Sequence, residues 1–139
     1  MDYRRFQDTI LVRIDRNEEI IEQIRRVAER EEIRLASVQA LGAVDDFTVG
    51  VFNTGDKSYA SNRFQGAFEI VSLTGTISTM DGEFYCHLHM SAGDSTGAVF
   101  GGHLNYANVS ATCEMVITVI PGKADRKFSE EIGLNLFSF

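Results

Sequence analysis

The chain has 139 residues, a length that suits one domain and leaves little room for a second. Hydrophobic residues make up 44% of it and charged residues 24%, a composition that allows a buried core and excludes disordered and fibrous proteins. The 13 Lys and Arg against 20 Asp and Glu give a net charge of −7, which disfavours contact with phosphate backbones unless the basic residues cluster. We therefore expect one globular domain over residues 1–139.

The cysteines and the apolar runs of the sequence indicate where the protein is located in the cell. The two cysteines, Cys86 and Cys113, do not form a C-x-x-C pair, so a disulfide framework is not expected and a reducing compartment is favoured. The N-terminal residues lack the apolar run of a signal peptide, and no stretch approaches about 18 consecutive apolar residues. These features predict a cytoplasmic protein that does not span a membrane.

The first elements along the chain are a strand and a helix. Partial alternation of apolar residues predicts a strand over Phe6 to Ile14. Asp15 and Glu18 have the spacing of a capping box, with Asp15 as the cap. Helical spacing of apolar residues then predicts one long amphipathic helix from about Arg16 to Glu31. The apolar positions of this helix are Ile20, Ile21, Ile24, Val27 and Ala28.

After the helix the pattern changes to strands. Gly42 is expected to break the first of them, Asn53 to Asn62 reads as a loop or a hairpin excursion, and Asp81-Gly82 predicts a hairpin turn. The predicted strands are Ile33 to Leu41, Phe47 to Phe52, Phe68 to Ser78, Phe84 to Ser91, Ala98 to Leu104 and Ala111 to Ile120. The apolar tail beyond Pro121-Gly122 is expected to pack back onto the domain. One helix with about seven strands predicts an α+β domain with a mainly antiparallel sheet.

The chain has only three histidines, and their positions predict a metal site. His87 and His89 are two residues apart in a predicted strand, so both side chains lie on one face. His103 follows Gly101-Gly102 on the next predicted strand, which can pair antiparallel with the first. Three imidazoles that leave one position open are typical of a catalytic or exchangeable zinc site, although other divalent transition metals also bind imidazole.

Two other interpretations of the histidines stay open. They could be polar residues satisfied by hydrogen bonds, or surface residues that face a subunit partner. Glu114, in the otherwise apolar run Ala111 to Ile120, is a candidate metal ligand, a candidate partner that orients a histidine, or a candidate general base. It could equally form a salt bridge at a sheet edge or a subunit interface. Asp94 could also act at the site, but turn formation explains it equally well.

Several blocks of this sequence together resemble the plants-and-prokaryotes conserved (PPC) domain. The resemblance spans nearly the whole chain, and the combined pattern H-x-H…G-G-H-L…E-x-V-I is the specific part of it. The blocks are residues 37–44, Gly66 to Ile77, His87 to Asp94, Gly101 to Leu104 and Thr112 to Ile117.

The resemblance implies an α+β fold, assembly as a homotrimer, and a metal site, usually zinc, that would fall on His87, His89 and His103. In plant members the domain follows an AT-hook, which enters the DNA minor groove, and a block matching Gly66 to Val71 mediates contacts with other nuclear proteins. This chain has no AT-hook, because its single proline is Pro121, and it has Ala67 where plant members have Arg. It thus resembles the stand-alone prokaryotic members, which are labelled DNA-binding by association with the plant ones.

Three functional hypotheses follow. The favoured one is a homotrimeric metal-binding module with an interaction or regulatory role and possible protein partners. The second is a DNA-associated regulatory protein, against which the acidic balance argues. The third is a zinc-dependent enzyme in which the three histidines activate water and Glu114 acts as base.

Overall fold

Eight strands and one helix make up the fold in the computed structural model, which describes residues 1–139. In chain order the elements are β1 (Asp2–Phe6), β2 (Thr9–Asp15), α1 (Ile20–Arg30), β3 (Ala36–Asn53), β4 (Ser58–Met80), β5 (Glu83–Gly93), β6 (Val99–Val119), β7 (Asp125–Ser129) and β8 (Leu134–Ser138). All strand pairs are antiparallel except the single bridge between β4 and β7. The mainly antiparallel sheet and the single helix agree with the sequence prediction.

Four strands form a closed ring of pairings. β3 pairs with β4 and β6, and β5 pairs with the same two strands, so that each of the four has two neighbours within the group. The β1–β2 hairpin extends the sheet from the C-terminal half of β6, and the β7–β8 hairpin adjoins the end of β4. Closure brings β5 beside the first residues of β6, which is where the histidines lie.

The helix is shorter than the sequence predicted. It has 11 residues and begins at Ile20, because the Glu19 side chain accepts a hydrogen bond from the backbone N–H of Glu22 and caps the helix there. Only half of the predicted capping box forms, since Glu18 accepts from the Asp15 backbone N–H at 2.8 Å while the Asp15 carboxylate binds Arg13 and the N-terminal amine instead. The helix is therefore neither long nor capped by Asp15.

Several predicted strands join or divide. The segment Phe6 to Ile14 is not one strand but the end of β1, a turn at residues 7–8 and most of β2. Gly42 does not end a strand, as predicted, but forms a bulge within the continuous strand β3, with a φ of +150°. A Cβ at Gly42 would lie 2.4 Å from the Thr112 carbonyl oxygen, which explains why glycine is needed at this crossing of β3 and β6.

The hairpin connections are shorter than, or equal to, those that the sequence predicts. The predicted loop 53–62 contracts to a turn at residues 54–57 between β3 and β4, because the strands run further than their apolar residues indicate. The hairpin turn at Asp81 and Gly82 is present, with φ values of 54° and 83°. The apolar tail forms the β7–β8 hairpin, in which Phe128, Leu134 and Leu136 remain exposed.

One hydrophobic cluster of 25 buried residues joins the helix to the inner faces of the strands, so the domain has a single core. Ile20, Ile24 and Val27 of α1 contribute to it, as do alternate residues of β2 and β6 such as Ile14 and Cys113. The opposite, outer face of β5 is left to solvent. No helix of the structure has the length and hydrophobicity needed to cross a bilayer.

Candidate metal centre

Period-two alternation in β5 determines which of its residues face outward. Leu88 and Met90 are buried in the core, and His87 and His89 project from the opposite face, where both are exposed. Cys86 faces inward with Leu88, and burial raises the pKa of its thiol to about 11. Cys86 is therefore not a partner of the histidines.

The third histidine comes from the neighbouring strand. His103 of β6 is the register partner of His89, which places the two imidazoles side by side. The two preceding glycines permit this close approach: a Cβ at Gly101 would lie 2.7 Å from the Met90 carbonyl oxygen, and one at Gly102 would lie 2.6 Å from that of Gly50. The antiparallel pairing that the sequence predicted for His103 is therefore present.

The three imidazoles form a compact cluster. Their ring centroids are 5.1 Å apart for His87 and His103, 5.2 Å for His87 and His89, and 5.7 Å for His89 and His103. One potential ligand nitrogen from each ring lies within 4.8 Å of the others. This donor set fits a divalent transition metal, because imidazole nitrogen binds such ions at about 2.0–2.1 Å and small rotations of exposed rings can close the remaining distance.

The local electrostatics favour neutral imidazoles. Partial desolvation of the ring lowers the pKa of His87, and the neighbouring His103, His89 and Arg126 lower it further. Burial also lowers the pKa of His103, with a smaller contribution from His89. A neutral imidazole has a free lone pair on one nitrogen, so both side chains are in the form that can bind a metal at neutral pH.

The cluster is flanked by two further side chains, neither of which the sequence analysis singled out. The Tyr59 ring lies 6.2 Å from that of His103, and its hydroxyl donates to Asn105 Oδ1 at 2.6 Å. Arg126, from β7, lies on the His87 side, where its Nη2 is 3.4 Å from Thr76 Oγ1 and Thr76 is the register partner of His87. Neither shows a local sequence signal, because both reach the cluster only through strand pairing far from the histidines in sequence.

Glu114 is not part of the cluster. It lies on the exposed face of β6, where its register partners are Arg13 and Leu41. Its carboxylate is therefore solvated, and the run Ala111 to Ile120 alternates between core and solvent rather than being buried throughout. The structure does not bring Glu114 to the histidines, so a role for it as metal ligand or base is not supported within one chain.

Asp94 and Cys113 both have structural explanations. The Asp94 carboxylate accepts hydrogen bonds from the Thr96 hydroxyl and from the backbone N–H groups of Thr96 and Ala98, which lower the pKa of Asp94 and form a turn. Cys113 is fully buried, and burial raises the pKa of its thiol to about 12, so it is a core residue.

Similarity to solved structures extends over the whole fold. A structure from Bacteroides thetaiotaomicron, described as a candidate DNA-binding protein, is 29% identical, with a TM-score of 0.96 over 99% of this chain and 96% of that one. A metal-containing protein from Archaeoglobus fulgidus is 31% identical, with a TM-score of 0.90 over 99% and 97% of the two chains. A plant- and prokaryote-conserved (PPC) protein from Pyrococcus horikoshii is 30% identical, with a TM-score of 0.86 over 99% and 94%.

Comparison of the sequence with protein-family models identifies the family of the chain. The chain has no significant match among curated proteins. The family model of the Plants and Prokaryotes Conserved (PCC) domain matches residues 1–121, which include both histidine strands and end just before the β7–β8 hairpin. The resemblance that the sequence blocks suggested is thereby confirmed, and the chain belongs to the Plants and Prokaryotes Conserved domain family.

Proposed function

We propose that the protein is a homotrimeric metal-binding module in which His87, His89 and His103 hold one divalent ion, and that it has an interaction or regulatory role. The observation that supports this most directly is the convergence of three imidazole nitrogens within 4.8 Å on the exposed face of two adjacent strands. The chain has no other histidine, so all of its imidazole ligands meet at one point. The metal-containing neighbour from Archaeoglobus fulgidus gives further support.

Zinc is the metal that we propose. Three imidazoles leave one position of a tetrahedral ion open, and zinc held in this way lowers the pKa of a bound water or exchanges it for another ligand. The protein's own contribution is to fix the three rings at the sheet surface through strand pairing. Because the cluster faces solvent, a ligand or a partner side chain can reach it.

The trimeric state that we propose has support from apolar residues on the outer face of the sheet. Leu41 is 59% exposed, Val71 62% and Val116 39%, and they line one depression of about 430 Å³ together with Glu114. Apolar surface of this kind usually marks an interaction site. A subunit contact there would also give Glu114 the interface position that the sequence analysis left open.

Metal content per chain, measured by elemental analysis of untagged protein, tests the proposed function. We expect about one zinc per chain in the wild type and almost none in the His87→Ala/His89→Ala variant, because a single remaining imidazole binds zinc weakly. The variant should remain folded, since the removed side chains are exposed and lie outside the core.

Glu114→Gln is the matched control. It changes an exposed residue of the same sheet that lies outside the histidine cluster, so its zinc content should equal that of the wild type. Zinc retained by the double histidine variant, or absent from the wild type after purification with added zinc, would contradict the proposal.

A further inference from the structure

Arg126 is a buried cation without an acidic partner. Its side chain is only 7% exposed, yet it forms no ion pair with any Asp or Glu. Its Nε donates to Ser78 Oγ at 2.9 Å and its Nη1 to the Asn135 carbonyl oxygen at 2.9 Å. These partners are neutral, and a buried charge is costly unless an opposite charge compensates it.

Aromatic rings hold the guanidinium in place. Its Cζ lies 4.8 Å from the centre of the Tyr85 ring and 4.1 Å from that of Phe137. Phe137 comes from β8, the partner of β7, so the C-terminal hairpin and β5 together fix the orientation of the Arg126 side chain. A group fixed in this way loses little conformational freedom when it binds a ligand.

The guanidinium lies beside the histidine cluster. Tyr85 and His87 are two residues apart on β5 and so project from the same face. The Nη2 group, 3.4 Å from the hydroxyl of Thr76, points toward the strand position opposite His87 and has only this one long contact.

A bound ion would make this corner of the molecule strongly positive. Three neutral imidazoles add no negative charge to a divalent ion, and no Asp or Glu belongs to the cluster of potential ligand atoms. The local charge would then be about +3 in a chain whose net charge is −7. Such a site favours an anion over a neutral ligand.

We propose that the metal centre takes an oxyanion, a carboxylate or phosphate group, as its exchangeable ligand, and that Arg126 is the residue that selects it. The inference rests on the proposed metal site. Guanidinium groups match both carboxylate and phosphate geometry, and charge-assisted hydrogen bonds of this kind are about twice as strong as neutral ones. The selecting residue thus comes from the hairpin that follows the part of the chain matched by the family model.

Ligand binding to cobalt-substituted protein tests the inference, because the visible spectrum of bound Co²⁺ changes when its ligands change. The probes are inorganic phosphate, acetate and neutral imidazole, each titrated into the wild type and into Arg126→Gln and Arg126→Met. We expect both variants to bind the better of the two anions at least about 10-fold more weakly, with imidazole affinity changed less than about 2-fold. Whether phosphate or acetate shows the larger loss identifies the preferred oxyanion.

Two controls separate charge from packing. Arg126→Lys keeps the positive charge and should recover part of the anion affinity. Phe128→Leu changes an exposed ring of the same hairpin that is not one of the two rings against the guanidinium, so anion affinity should stay within about 2-fold of the wild type. Met at position 126 can pack between the two rings without a buried polar group, which guards against loss of folding.

The outcomes distinguish the two proposals. Failure of the wild type to bind cobalt at the histidines contradicts the proposed function, and the anion site with it. Stoichiometric cobalt with anion affinities that are the same in the wild type, Arg126→Gln and Arg126→Met overturns the oxyanion site alone, as does loss of imidazole and anion affinity by the same factor.

Discussion

Partial burial and mutual repulsion disfavour the imidazolium forms of His87 and His103. The folded protein therefore holds these side chains neutral, which lowers its free energy of unfolding in acid. Their pKa values in the fold lie below the ordinary value of 6.5, which the unfolded chain retains. Below that pH the unfolded chain therefore binds protons that the folded protein does not, and the free energy of unfolding falls.

This predicts an acid-sensitive metal-free protein. Urea unfolding of the metal-free wild type should show a lower midpoint at pH 5.5 than at pH 7.5, because the fall in stability starts near pH 6.5 and continues as the pH drops toward the folded pKa values of the two histidines. In a His87→Gln/His103→Gln variant the difference between the two midpoints should shrink. A difference of the same size in both proteins would refute this explanation.

The histidines could be predicted from the sequence, and Arg126 could not. The spacing of His87 and His89 determines their common face, and the short connection to His103 makes its pairing with β5 nearly unavoidable. Arg126 reaches the cluster through one bridge between Thr79 and Asp125, a long-range contact that no local pattern encodes. The apolar neighbours of Glu114 indicate burial on both faces of its strand, whereas β6 is buried on one face there and Glu114 lies on the other.

At the level of elements, the position of β5 depends on a glycine in the adjacent strand. Gly75 of β4 is the register partner of Leu88, and a Cβ there would lie 2.0 Å from the His87 carbonyl oxygen and 2.8 Å from Leu88 Cα. Both atoms belong to the backbone and cannot move without shifting β5. The two strands can therefore pair at the histidines only because residue 75 has no side chain.

A Gly75→Ala substitution should displace β5. We expect a loss of about 1–3 kcal/mol in the free energy of unfolding, the usual cost of overpacking, together with weaker zinc binding. Gly93→Ala on β5 is the control, because the nearest atom to its Cβ would be the Val71 Cγ2 at 3.6 Å, an ordinary contact distance. This substitution should change neither quantity appreciably. Denaturant unfolding and zinc titration check both, and unchanged values for Gly75→Ala would refute the argument.

Turns and glycines differ in how well the sequence predicts their structure. Turn chemistry at Asp81-Gly82 was decisive because both residues adopt positive φ. Gly42 gave the wrong prediction, since a glycine that permits a close crossing of two backbones looks the same in sequence as one that ends a strand. The helix start was placed too early because Asp15 and Glu18 match a cap pattern while Glu19 caps the helix.

For the whole molecule, the distribution of charge bears on contacts with nucleic acid. Several arginines that the sequence places near one another are already paired: Arg5 lies 3.0 Å from Glu31, Arg13 lies 2.8 Å from Asp15, and Arg26 pairs with Glu22. These carboxylates neutralise part of the basic charge that a phosphate backbone would need.

Association of subunits gives a test at the same scale. If the depression around Leu41 is the subunit contact, Leu41→Glu should convert trimers to monomers in light scattering coupled to size exclusion, because the new charge would be buried beside Glu114 of the adjacent strand. Ile120→Glu, at an exposed apolar residue outside the depression, should leave the trimer intact. A Leu41→Glu protein that still runs as a trimer would exclude this surface.

The path of strand pairings through the sheet ends at β1 on one side and at β8 on the other. β1 is protected in the usual way, by charged side chains such as Arg4 and Arg5. β8, with the sequence Leu-Asn-Leu-Phe-Ser, has no charge at all, and Leu134, Leu136 and Phe137 are each more than a third exposed. Non-native strand addition, and with it aggregation of the isolated chain, should therefore begin at the C-terminal hairpin.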